Sequence, residues 1–180
     1  MPSPASPACA ASLRDSEVGE LDPERLLRAL AENGVEFCVI GALAAWLQGS
    51  PAVTLDLDVM PRRDLDNADR LAAALNSLGV RDKGGEATLE LEGADFLGWQ
   101  ARRFETSAGP LDIVPHAAGI GGFEDVATVE LELGEIRVRV LTIDEVIASK
   151  EKLGRPKDRA ALPALYATRE ALRQRREAGD

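Results

Sequence analysis

The spacing of apolar residues along the chain switches repeatedly between a helical and an extended period. Leu26, Leu27, Leu30 and Ala31 recur as on one face of a helix. Asp22 and Pro23 precede them as a capping residue and a first-turn proline, and Asn33-Gly34 ends the run. Residues 35–40 are almost wholly apolar, as in a strand buried on both faces and central in its sheet. Gly41 turns directly into a short helix over residues 42–47, which Gly49 stops. Leu65, Ala68, Leu71, Ala72, Leu75 and Leu78 define an amphipathic helix over residues 64–78. Strands are expected over 87–91, 98–106 and 111–114, with a turn at Ser107-Ala108-Gly109-Pro110. Alternation on either side of Gly134 predicts a hairpin of 126–133 with 135–141. Thr142, with Glu145 three residues on, caps a helix over Ile143–Leu153, and Pro156 starts a last one reaching about Glu177. No internal repeat or linker interrupts this order. It predicts one α+β domain over residues 21–177, a mixed β-sheet flanked by helices, with a flexible leader at residues 1–20.

One stretch stands apart. Residues 54–60 read Thr-Leu-Asp-Leu-Asp-Val-Met, and in a strand Asp56 and Asp58 share a face while Leu55, Leu57 and Val59 line the other. Carboxylates held that close repel unless a positive charge lies between them. A divalent cation meets that need, since Mg²⁺ takes carboxylate oxygens together with substrate phosphates. The plainer reading is an edge strand with a solvated acidic face, although Asp is depleted in strands. Asp112 is a third carboxylate in an apolar strand.

At 180 residues, with 45% hydrophobic and 29% charged residues, the chain has material for a core. No apolar run approaches the roughly 20 residues that span a bilayer, and the leader lacks the pattern of a signal peptide. Cys9 and Cys38 form no metal or disulfide pattern, so a reducing cytoplasm without membrane attachment is expected. The net charge of −10 opposes a general nucleic-acid binder. Yet residues 150–176 hold nine basic and three acidic residues, leaving the rest of the chain still more acidic. A basic C-terminal segment (142–177) beside an acidic body suits a polyphosphate held against a carboxylate-bound metal. Its alternative is a solvated helix with arginines on the outer face.

The order of a strand, Gly41-Ala42, a helix, Thr54-x-Asp56-x-Asp58 and a later Asp112 resembles the nucleotidyltransferase superfamily, with the minimal core of DNA polymerase beta. With Lys150 and then Arg155-Pro156-Lys157-Asp158, the chain looks most like the bacterial abortive-infection and toxin branch. The resemblance implies two Mg²⁺ ions on Asp56, Asp58 and Asp112, about 3.5 to 4 Å apart, with Asp112 helping deprotonate the acceptor. It also implies a nucleoside triphosphate held by the backbone of Gly41 and Ala42 and by Lys150, Arg155 and Lys157. In-line attack on the α-phosphate would release pyrophosphate to an acceptor that could be RNA, protein or a small molecule. Where the family has Gly or Ser, Ala42 offers only its backbone, and Ala52-Val53 stand where relatives often carry Arg. Those departures favour the alternative of a catalytically silent binding or regulatory protein on the same fold. His116 reads as a loop residue, and Trp46 and Trp99 as core.

Overall fold

The computed structural model describes residues 20–179 except residue 52. The expected leader therefore lies outside the described residues but for Glu20, as do Cys9 and Ala52. Asp22 caps α1 (Pro23–Glu32), its Oδ1 accepting from the Arg25 N–H at 3.0 Å. Then come β1 (Phe37–Ile40), α2 (Gly41–Leu47), β2 (Leu57–Pro61) and α3 (Leu65–Ser77), the last capped by Asp64. β3 (Arg81–Asp82), a 3-10 turn at Gly93–Phe96, β4 (Arg102–Thr106) and β5 (Gly109–Ile113) follow. The hairpin is β6 (Thr128–Leu133) with β7 (Ile136–Leu141), and α4 (Ile143–Leu153) and α5 (Pro156–Ala178) close the chain.

The strands form one mixed sheet in the order β3-β4-β5-β2-β1-β7-β6. β1 and β2 run antiparallel, while β2–β5 and β1–β7 are parallel. β1 is central, as its unbroken apolar run predicts, and all four of its residues are buried. Leu26, Leu27 and Leu30 of α1 and Leu71 and Leu75 of α3 join Val39, Val59, Leu111 and Ile113 in one apolar cluster. Asn67 locks α3 to the sheet. Fully buried, it accepts from the Glu36 N–H at 2.7 Å and donates to the carbonyls of Glu36 and Arg62. At the other end, α4 packs against α2 and α5 against α4. Among the described residues no helix is long and apolar enough to cross a membrane.

Four expectations are corrected. The two-aspartate strand begins only at Leu57, because the Thr54 hydroxyl donates to the Asp56 carbonyl at 2.7 Å and holds the chain in a bend. Leu55 consequently leaves the core and is 78% exposed. Residues 87–91 form no strand, because Asn76 satisfies both backbone groups of Leu91 in place of a ladder. The strand expected over 98–106 begins only at Arg102, because the turn after the 3-10 segment and Trp99, at φ +42°, break the extended backbone over residues 98–101. Trp99 packs against the core as expected, whereas Trp46 is half exposed.

Candidate active site

Register brings the carboxylates together. Asp58 of β2 stands directly beside Asp112 of β5 in the parallel pair, and their neighbours Leu57, Val59, Leu111 and Ile113 are all fully buried. Alternation along both strands then puts the two aspartates on the same face, opposite the apolar cluster. Asp56 lies two residues before Asp58, at the bend, and is half-buried like it.

Gly41 explains how the chain reaches this point. It follows Ile40, the partner of Asp58 across β1–β2, and adopts φ +69°. A Cβ there would run into the Asp58 carboxylate. Only glycine permits both the left-handed backbone and the close approach. α2 starts at once, with Ile40 as an N-cap that has no side-chain hydrogen bond, and Ala42 follows in the first turn.

The electrostatics follow from this crowding. Burial, then the negative charges of Asp56 and Asp112, push the Asp58 carboxyl up to about 7, against the pull of Lys150 and Lys157. Asp112 is also raised, mainly by burial, and Arg103 opposes that shift. Arg103 is the β4 partner of Asp112, and its Nε lies 3.3 Å from Asp112 Oδ2.

The basic residues divide. Asp158, with a fully buried side chain, accepts from Arg155 Nε at 2.5 Å and Nη2 at 3.2 Å, and from Lys150 Nζ at 3.5 Å. Arg155 beside it holds its carboxyl below the usual range. Lys150 and Arg155 are thus anchored on a hub joining α4 to the start of α5. Lys157 is exposed, makes no ion pair among the described residues, and its charge acts on both Asp58 and Asp112. His116 sits in an exposed loop against Arg63, 2.6 Å away, as a loop residue should.

Among the described residues, no three Asp, Glu, His or Cys side chains close on one point as they would around a bound metal ion. In kind, the three carboxylates suit a hard divalent cation: oxygen donors only, on adjoining backbone, with Asp58 desolvated beside its like-charged neighbours.

Sequence reading missed two features. Arg103 has no motif; only strand pairing places it beside Asp112. A groove of about 550 Å³ beside Asp56 is lined by Leu43, Trp46, Val53, Thr54, Leu55 and Pro110, with Val53 86% exposed. Two apolar residues just before a short acidic strand were its only trace.

In fold the chain is nucleotidyltransferase-like, a mixed sheet flanked by helices similar to solved structures. The solution structure of the antibiotic-resistance factor ANT(2'')-Ia aligns at 16% identity with a TM-score of 0.51, over 86% of this chain and 91% of that one. Its crystal structure with adenylyl-2''-tobramycin gives 16% and 0.52, over 84% and 95%. A nucleotidyltransferase candidate from Thermotoga maritima gives 18% and 0.48, over 87% and 97%. No family model and no curated protein matches the sequence.

Proposed function

We propose that this chain transfers a nucleotide from a nucleoside triphosphate to an acceptor hydroxyl, with Mg²⁺ as cofactor. The observation behind this reading is the in-register placement of Asp58 and Asp112, with Asp56 two residues away and Gly41 pressed against Asp58. Asp56, Asp58 and Asp112 would hold the metal, which supplies charge neutralisation on the phosphates when bound. Asp112 takes the proton of the attacking hydroxyl. Lys150 and Arg155, fixed by Asp158, and the free Lys157 hold the triphosphate. The backbone N–H groups at Gly41 and Ala42 add to that grip. Such a reaction needs positioning and charge more than a protein nucleophile. The neighbour whose structure contains adenylyl-2''-tobramycin supports nucleotide transfer as the activity. The abortive-infection branch and a toxin role rest on the Lys150 and Arg155–Asp158 motif.

The silent reading, which the Ala42 and Ala52-Val53 departures favour, is also supported by the Arg103–Asp112 ion pair, which occupies a carboxylate the chemistry requires. Binding decides between them. Mg²⁺ plus a nucleoside triphosphate at 100 times its Kd stabilises a protein that binds it only when folded by about 2.7 kcal/mol. The expected result is a rise in Tm with at least one of the common triphosphates, absent in Asp56→Ala/Asp58→Ala. No rise with any of them overturns the reading. Labelled triphosphate with RNA, protein or small-molecule acceptors then tests transfer.

A further inference from the structure

A row of charged positions crosses the sheet at the candidate site. Asp58 on β2 pairs with Asp112 on β5, and Asp112 with Arg103 on β4. The β3–β4 register continues to Lys83, whose backbone N–H donates to the Arg103 carbonyl at 3.0 Å. Neighbouring strands lie about 4.8 Å apart, and cross-strand partners share a face. Lys83 and Arg103 therefore flank Asp112 on the side away from β2, while Lys150, Arg155 and Lys157 act from α4 and α5.

Arg103 is 64% exposed and approaches Asp112 Oδ2 with its Nε at 3.3 Å, so most of its guanidinium side chain is open to a ligand. Lys83 is exposed and makes no ion pair among the described residues. The acid nearest in register, Glu105, faces Arg81 instead, and Asp82, which belongs to the opposite face, pairs with Arg102. The open flank of the proposed base is thus cationic. A polycation brought there would meet two like charges, whereas a phosphate would meet two donors of the right sign.

On the reading that Asp112 receives the acceptor proton, we propose that the acceptor is a hydroxyl compound bearing a phosphate, and that Lys83 and Arg103 hold that phosphate. The acceptor arrives from the β3 edge of the sheet, and the donor triphosphate occupies the α4–α5 side.

The test titrates ribose 5-phosphate, and separately the polycationic aminoglycoside tobramycin, into the full chain by calorimetry. Each titration is made with the protein alone and with Mg²⁺ and α,β-methylene ATP at saturation. Ribose 5-phosphate is expected to bind in the presence of the analogue, about tenfold more weakly to Lys83→Gln/Arg103→Gln, and with affinity restored by Arg103→Lys in the single-site series. A short oligoribonucleotide run in parallel separates a nucleic-acid end from a sugar phosphate, and binding of either through the two cations supports the subsite. Tighter binding of tobramycin, no binding of either phosphate compound, or unchanged affinity in the double variant overturns the proposal. Both side chains are exposed, and circular dichroism confirms that the variants fold. Failure of the analogue to bind counts against nucleotidyl transfer, while the phosphate subsite is still decided on the protein alone.

Discussion

At the scale of single residues, Gly41 is constrained twice, by its left-handed backbone and by the Asp58 carboxylate beside it. Gly41→Ala incurs the left-handed strain of about 1–2 kcal/mol and drives a methyl group into the Asp58 carboxylate. Gly49 has φ +94° with nothing within 4 Å of a built Cβ, so Gly49→Ala incurs strain alone. Denaturant unfolding should show the larger loss at Gly41, and Asp58→Ala should relieve part of it. Equal losses at both glycines would disprove the collision. Asp58 makes a second prediction. With its carboxyl raised to about 7, the native state keeps a proton there that the unfolded chain has released above about pH 4. Its contribution to stability is therefore complete below pH 4 and is lost as pH rises towards 7 and above. Asp58→Asn should flatten that part of the stability–pH curve, measured without metal. Chain order alone marked Asp58, but its burial and its neighbours came only with the folded sheet.

At the scale of elements, the Asp158 hub decides how α4 and α5 meet. Asp158 has no solvent to replace Lys150 and Arg155, so Asp158→Ala should cost about 2 kcal/mol, the worth of hydrogen bonds to charged groups. Arg155→Ala should cost at least as much, since it leaves the buried Asp158 carboxylate with Lys150 alone. Because its carboxyl is lowered, the Asp158 contribution is present above the unfolded-state value and lost as pH falls through the native one. Acid unfolding followed for wild type and Asp158→Asn checks the sign. The motif from Arg155 to Asp158 was visible in the chain. What it missed was that the acid is the buried member and Lys157 the free one. Element ends behaved similarly: the caps Asp22, Asp64 and Thr142 act as their residue types dictate. The strands expected at 87–91 and before Leu57 failed where Asn76 and Thr54 captured backbone groups that periodicity assigns to a ladder.

At the scale of the molecule, the central strand reports on global opening. Cys38 lies fully buried on β1, and burial pushes its thiol up to about 12. Its alkylation should be slow in buffer and fast in denaturant, since the thiolate is the reactive form and its strand opens only with the core. Mass spectrometry of the Cys38 peptide measures this, and the rate should fall further with Mg²⁺ and a bound triphosphate. Rapid labelling in buffer would mean that the sheet opens locally.

The sequence alone determined the helices, the central strand, the aspartates and the basic C-terminal segment, because each is written in neighbouring residues through periodicity, caps and charge. Only the tertiary structure decided which residues became neighbours across the sheet. The parallel register that sets Asp58 beside Asp112, the Arg103 and Lys83 flank, and the Gly41–Asp58 contact join distant parts of the chain. Such pairings follow from the packing of the whole core, so no local pattern could specify them.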